Sequence, residues 1–262
     1  MNGLQAVIDR EMDDDPNLRA LWLRGVTDIA KPTALYAGEV SYLDEQLGRL
    51  FDALKDRGLF DRTMIVFTAD HGECLGEHDI FFGHRTLYEE TLHVPLIIRD
   101  PSGSRERKRI TSLTNHVDIL PTILDLLSLP LPEKARGKSL IPLIRGNGAG
   151  FDDRTIFAEH AHRLAKSLRT PRFKYIKEMK SRDLVYSFIG MPFCMKGRRF
   201  LFDVSRDPGE RRNLAAGASG LADRLDLVLE RWLNETDCFV PAAESKIEKK
   251  MIEALRTLGY LR

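Results

Sequence analysis

TMIVFTADHGE, residues 63–73, is a short apolar run that leads into a loop rich in acidic and histidine side chains. The run 63–68 is continuous and contains branched residues. This pattern is typical of a strand covered on both faces, and hence of a parallel sheet in an α/β fold. In open parallel sheets, ligands bind beyond the carboxyl ends of the strands. Asp70 and His71 follow the run directly, so the sequence places them where such a fold would have a site.

The loop that begins here, residues 68–84, carries side chains suited to a divalent cation. Asp70 offers a hard carboxylate oxygen and His71 a borderline nitrogen. Two residues cannot fill a coordination sphere, since hard cations take about six ligands, so further carboxylates must come from elsewhere. The alternative for this pair is a turn cap and a surface histidine. The other acids of the loop are interpreted as a solvated surface: Glu73, Glu77 and Asp79.

His84 is the third candidate residue of this loop. It lies fourteen residues after Asp70 and is followed by Arg85. A histidine or arginine aimed back at a bound anion would offset the charge of a tetrahedral oxyanion. This chemistry alone does not assign a role to His84.

The spacing of apolar residues and the positions of turn residues predict helices and strands in the rest of the chain. Helices are predicted at 35–57, 219–235 and 243–257, and Asp118 is predicted to cap a helix that runs to Leu127. A second core strand is predicted at 94–98. After a glycine-rich linker at 146–150, short strands are predicted at 155–159, 166–169, 173–177 and 199–203, which suggests a small antiparallel sheet. These patterns predict a first domain over 1–146 and a second over 147–262.

Composition narrows the class of protein. The 262 residues carry a net charge of +1, with 43% hydrophobic and 30% charged residues, as is ordinary for a soluble globular protein. The balance favours neither a nucleic acid nor a membrane as partner. The basic run at 105–109 is interpreted as a solvated loop.

Three widely spaced cysteines without a CxxC pair indicate neither a zinc knuckle nor a disulfide framework. Residues 1–17 lack the apolar segment of a signal peptide, so we expect a cytoplasmic location for the chain as encoded.

Several motifs, taken in order over residues 33–215, resemble the sulfatase family of the alkaline phosphatase superfamily. They are 36–48 (YAGEVSYLDEQLG), 59–63 (LFDRT), 68–73 (TADHGE), 83–90 (GHRTLYEE), 94–97 (VPLI), 117–122 (VDILPT), 137–140 (GKSL) and 201–214 (LFDVSRDPGERRNL). The ordered set is specific, although no single motif is decisive. The resemblance covers the C-terminal half of the family's pattern. It implies an α/β fold, namely the C-terminal part of an alkaline-phosphatase-like parallel-sheet core with helices on both faces. A small subdomain with an antiparallel sheet follows.

The resemblance also implies a site. The family holds one divalent cation, usually calcium, with two early carboxylates and a later Asp followed by Asn or His. Asp70 and His71 match the later pair, and manganese and magnesium are the other cations considered. His84 stands where the family usually has a lysine that contacts the sulfate. The family's early Asp pair is not found in this sequence. Its Cys/Ser-x-Pro-x-Arg motif, which supplies the formylglycine nucleophile, is also not found, so we expect the chain alone to be inactive.

Three functions remain open from the sequence. The first is hydrolysis of sulfate esters, with a sulfated small molecule or sugar as substrate. The second is a phosphodiester or phosphonate hydrolase, or a phosphoethanolamine-type transferase, of the same superfamily. The third is a non-catalytic protein that keeps the fold in a binding or structural role. A parallel sheet without its N-terminal strands would expose an edge and an apolar face. We therefore expect the chain to oligomerise, or to pair with a polypeptide that carries the N-terminal half.

Overall fold

The structure, a computed structural model of the chain, describes residues 28–84, 86–102, 107–160, 165–178 and 198–236. The helices are α1 (Ala30–Asp56), α2 (Glu89–Leu92), α3 (Ile119–Leu126), α4 (Ile141–Ile144) and α5 (Ser219–Thr236). The strands are β1 (Ile65–Thr68), β2 (Cys74–Leu75), β3 (Phe81–Gly83), β4 (Leu96–Arg99), β5 (Ile156–Glu159), β6 (Ala165–Arg169), β7 (Phe173–Glu178) and β8 (Arg199–Asp203). Within the described part of the chain, no helix is both long and apolar enough to span a membrane.

The strand at the start of the candidate site pairs differently from the prediction. β1 and β4 are hydrogen-bonded antiparallel, with Thr68 opposite Leu96, whereas the apolar run predicted a parallel neighbour. Among the described residues between them lie the β2–β3 hairpin, a short 3-10 helix and the four-residue helix α2, rather than the long crossover helix that usually joins parallel strands. β4 therefore starts at the edge where β1 ends. Antiparallel edge strands are common on otherwise parallel sheets.

The four short strands predicted after residue 150 are all present and form one antiparallel sheet. The order is β5-β6-β7-β8, and each strand pairs with the next along the chain. Side chains alternate between the two faces of a strand. On β7, Tyr175 packs with Leu229 of α5, whereas Ile176 packs with Cys74 of the site loop. The sheet therefore lies between α5 and the candidate site loop, and it supports that loop from below.

Asp118 has a different role from the predicted helix cap. It is fully buried, and its carboxylate makes no side-chain cap bond to α3. It accepts the backbone N–H of Asn115 at 2.7 Å and that of Lys138 at 2.8 Å. Arg154 donates to both of its oxygens, at 2.6 and 2.7 Å. The carboxylate thus joins three segments that the sequence places far apart, because a buried charge is stable only when its oxygens are satisfied.

The bounds of two predicted helices can be compared with those in the structure. Helix α1 starts five residues earlier than predicted and ends beside Gly58, whose φ of +65° suits a residue without a side chain. Helix α5 matches the predicted helix at 219–235. The predicted helix at 243–257, Cys194, Cys238 and Arg85 lie outside the described residues. The domain boundary between 146 and 147 stays a prediction.

Candidate functional site

Asp70 and His71 lie directly beyond the carboxyl end of β1, as the sequence predicted. The Asp70 Oδ1 atom accepts the backbone N–H of His71 at 2.9 Å, and its Oδ2 lies 3.7 Å from His71 Nε2. The Nδ1 atom of His71 contacts the carbonyl oxygen of Gly72 at 2.9 Å. Both side chains are open to solvent, with 71% and 41% of their surface exposed. Their ligand atoms can therefore reach an ion or substrate in the adjacent cleft.

His84 is brought to this pair by a hairpin. Strands β2 and β3 pair so that Cys74 lies opposite Gly83, which places the next residue, His84, beside the loop. The rings of His71 and His84 stack with their centroids 4.0 Å apart. The structure thus gathers the three residues that the sequence singled out.

Glu73 belongs to the same group, and its interpretation as a solvated surface residue was wrong. Its side chain is only 20% exposed, and its Oε2 lies 3.2 Å from His84 Nδ1. Its other oxygen, Oε1, is buried and has no hydrogen-bond partner among the described residues. The hairpin explains the miss, because only the pairing of β2 with β3 places the residues that flank it side by side. Glu77 and Asp79 are exposed, as predicted.

The donor set suits a divalent cation. Ligand atoms of His71, Glu73 and His84 all lie within 4.8 Å of one another, and the Asp70 carboxylate is adjacent. Imidazole nitrogens and carboxylate oxygens are common ligands of divalent metals. The buried, unpaired oxygen of Glu73 is also a group that a cation would satisfy. Four residues are fewer than the six or more oxygen ligands that calcium prefers. These residues could supply only part of the coordination sphere of such a cation.

A cleft of about 1520 Å³ opens beside this group. Thr68, Asp70 and His71 line its edge. Its wall is mixed, because apolar side chains and the acidic Asp61, Glu89 and Asp100 line it together with basic ones: Arg99, Arg107, Lys108, Arg109, Arg145 and Arg169. The described residues of the basic run, 107–109, are exposed, as predicted for a solvated loop, and they also border this cleft. Cationic side chains around a cleft attract anionic ligands.

Helix α2 holds the backbone of the site loop. The N–H of Gly72 donates to the carbonyl oxygen of Thr91 at 2.8 Å. A Cβ atom at position 72 would lie 2.0 Å from the carbonyl oxygen of Glu90, so the loop can approach α2 this closely only with glycine. Any displacement of α2 would therefore be passed to Gly72 and its neighbours Asp70, His71 and Glu73.

A second cluster lies behind the loop. His78 stacks on Tyr88 with centroids 3.7 Å apart, and its Nε2 lies 3.5 Å from Glu90 Oε2. Burial lowers the pKa of His78, against the opposite effect of Glu90, and burial raises the pKa of Tyr88 to about 12. Ligand atoms of His78, Glu90 and Glu210 lie within 4.8 Å of one another. The ammonium of Lys174 already stands 3.1 Å from Glu210, so this cluster is an ionic network with its own cation.

Two family models match the chain. The family model "Sulfatase" matches residues 7–129, and the model "N-sulphoglucosamine sulphohydrolase, C-terminal" matches residues 76–233. The chain is 30% identical to arylsulfatase K of Gallus gallus over 79% of its own length. It is 31% identical to an N-acetylglucosamine-6-O-sulfatase of Bacteroides thetaiotaomicron over 77% of its length.

The fold of the chain is also similar to solved structures. The phosphonate monoester hydrolase of Silicibacter pomeroyi superposes with a TM-score of 0.63 at 28% identity, covering 84% of this chain and 43% of that one. The chain spans 38% of the arylsulfatase K and 35% of the N-acetylglucosamine-6-O-sulfatase, so it corresponds to less than half of each relative. The likeness confirms the predicted α/β fold class of the alkaline phosphatase type. The ordered motifs, the two family models and the shared fold agree that the chain belongs to the sulfatase family of the alkaline phosphatase superfamily.

Proposed function

We propose that this chain supplies the second half of a metal-dependent site that hydrolyses sulfate esters. The observation that carries the proposal is the meeting of Asp70, His71 and His84 beyond the end of β1, at the edge of a basic cleft. The sulfatases among the relatives support a sulfated substrate, and the N-acetylglucosamine-6-O-sulfatase makes a sulfated sugar one candidate. The other half of the site would come from an N-terminal half, on the same polypeptide or on another.

In this proposal each residue of the chain has a defined task. Asp70 and His71 hold the divalent cation, for which calcium is the first choice, and Glu73 is placed to join them. The cation, when bound, supplies positive charge for the oxygens of the sulfuryl group. His84 is held by Glu73 and presents a hydrogen-bond donor to the substrate. The basic side chains of the cleft wall attract the anionic ester and oppose the charge that develops during transfer.

A second candidate function is hydrolysis of phosphonate or phosphodiester substrates. The likeness to the phosphonate monoester hydrolase of Silicibacter pomeroyi favours it, and so does an Asp-His pair in place of Asp-Asn. Sulfate and phosphonate monoesters are both tetrahedral anions, so a basic cleft accepts either. The two functions therefore differ in the rate of each reaction rather than in the ability to bind.

The deciding experiment assays the chain together with the polypeptide encoded directly upstream of Met1. If that polypeptide carries paired Asp ligands and a Cys/Ser-x-Pro-x-Arg motif, we expect calcium-dependent hydrolysis of an aryl sulfate that a chelator abolishes. Faster hydrolysis of a phosphonate monoester would favour the second candidate. A folded assembly that turns over neither ester, with calcium present, would leave the non-catalytic role.

We also propose that the isolated chain self-associates through an unpartnered apolar surface. Helix α1 has 27 residues, yet only Pro32 is buried. Large apolar side chains on it are exposed: Leu35, Tyr36, Val40, Tyr42, Leu43 and Leu50. Exposed apolar areas of this kind mark surfaces that are covered in the working protein.

We expect sedimentation velocity to find oligomers or aggregates at micromolar concentration, and fewer of them after Val40→Glu with Leu43→Glu. The control is Asp44→Asn with Glu45→Gln, which changes the polar side of the same helix. A stable monomer of the unsubstituted chain would contradict the proposal.

A further inference from the structure

Lys174 lies on β7 with no exposed surface, although lysine is almost never buried without a partner. Its Nζ donates to Glu89 Oε1 at 2.9 Å and lies 3.1 Å from Glu210 Oε1. Arg169 on β6 adds a second cation, 3.6 Å from the same oxygen of Glu89. One buried and one half-buried cation thus face two carboxylates, and the charges of these four side chains cancel.

This group controls the position of helix α2. Glu89 is the first residue of α2, and its backbone N–H donates to Glu210 Oε2 at 2.7 Å. The start of α2 is therefore fixed at two points, by the side chain and by the backbone of one residue. Burial tends to raise the pKa of Glu89, but Lys174 and Arg169 outweigh this effect, so its net pKa is lowered and its charge is retained.

Helix α2 in turn holds the site loop. The N–H of Gly72 donates to Thr91, and the two backbones touch so closely that no side chain fits at position 72. A continuous series of contacts thus runs from Lys174 through Glu89 and Thr91 to Gly72, which lies between His71 and Glu73 of the candidate site.

We propose that Lys174 is a positioning residue of the candidate site, which it acts on through α2 without touching it. The expected effect on ester hydrolysis rests on the proposed function. The contacts that connect Lys174 with Gly72 do not depend on it. Without the ammonium, Glu89 and Glu210 would carry buried charges close together with only Arg169 to offset them. Such charges repel and seek water, so α2 would move and the hydrogen bond from Gly72 would open.

The strand offers a matched control. Lys177 is also on β7, but it lies on the opposite face and pairs with Asp226 and Glu230 of α5 at 2.9 and 2.6 Å. Removing its charge breaks an ion pair of the same sheet that has no contact with α2. Both Lys174→Met and Lys177→Met remove one ammonium group from β7. They differ in the helix that loses its ion pair, which is α2 for Lys174 and α5 for Lys177.

Hydrogen exchange of the full chain tests the link directly. We expect the Gly72 amide to exchange about tenfold faster in Lys174→Met, relative to the hydrogen-bonded amide of Ile144 in α4, which neither lysine contacts, and within twofold of the unsubstituted chain in Lys177→Met. If Lys174→Met does not fold, Glu210→Gln replaces it, because it removes one charge and keeps an acceptor for the Glu89 N–H. Equal loosening of Gly72 and Ile144 would mean a general loss of stability and would overturn the proposal.

The assembled enzyme supplies a second readout. In an assembly that hydrolyses sulfate esters, Lys174→Met is expected to lower kcat/KM about tenfold and Lys177→Met to leave it within twofold. An unsubstituted assembly without activity would reject the proposed function and leave the exchange result standing. Unchanged exchange at Gly72 in an active assembly would reject the positioning role alone.

Discussion

Replacing Asp118 by alanine is expected to lower the free energy of unfolding by about 3–5 kcal/mol, the cost of breaking a buried ion pair from one side. The change would leave the guanidinium of Arg154, only 10% exposed, without the carboxylate that accepts two of its hydrogen bonds. It would also remove the acceptor for the backbone N–H groups of Asn115 and Lys138. Since domains of this kind are stable by about 5–15 kcal/mol in total, a loss of this size is a large fraction of the whole.

Urea unfolding followed by circular dichroism measures this effect. The matched control is Asp153→Ala, an exposed aspartate directly before Arg154, which should change the free energy of unfolding by less than about 0.5 kcal/mol. Asp118→Asn should fall between the two, because an amide keeps one acceptor oxygen and loses the charge. A loss below about 1 kcal/mol in Asp118→Ala would show that the three joined segments are held by other contacts.

The antiparallel sheet of the second half could be predicted from the sequence almost residue by residue. Its strands are short and bounded by turn residues, and each pairs with the next strand in the chain. Local signals are sufficient for such a sheet, because strands that follow one another along the chain usually pair with each other. Helices α1 and α5 were found for a similar reason, since their apolar periodicity lies within one continuous segment.

The predictions that failed concern contacts between distant segments. The direction of β4 depends on the connection that precedes it, where the described residues form a hairpin and short helices rather than a long crossover helix, and the apolar run at 63–68 contains no information about it. Asp118 precedes a helix, so a cap was the natural expectation, yet Arg154 and Lys138 determine its role. Glu73 looked like one more loop acid until the hairpin placed it against His84. In each case a charged side chain or a strand edge takes its partner from another part of the chain.

The candidate site could be predicted only in part for the same reason. Asp70 and His71 were found because the end of a buried strand is a position that sequence can recognise. His84 was added because it stands where the family usually has a lysine. Nothing local marks Lys174 as part of the support of the site. Its burial appears only once β7 is placed against α2.

Replacing Asp70 by alanine is expected to abolish calcium-dependent activity in the assembled enzyme, with a loss in kcat/KM of at least about 100-fold. The reason is that loss of even an outer partner of a metal ligand costs about 10- to 100-fold, and Asp70 is proposed as a ligand itself. The folded state should not suffer, because 71% of the Asp70 side chain is exposed and its hydrogen bond is to the neighbouring His71 N–H. A loss of activity in Asp70→Ala can therefore be distinguished from a loss of folding stability.

The measurement is the calcium dependence of ester hydrolysis by the assembly, with unfolding of each variant followed in parallel. Asp70→Asn should bind calcium more weakly than aspartate but better than alanine, because the amide keeps a neutral oxygen ligand and loses the charge. Asp153→Ala, an exposed acid away from the loop, serves as the control and should keep activity within twofold. If Asp70→Ala retained full activity at the same calcium concentration, the cation would have to be held without Asp70. The assignment of this loop as half of a metal site would then be wrong, even though His71, Glu73 and His84 lie together.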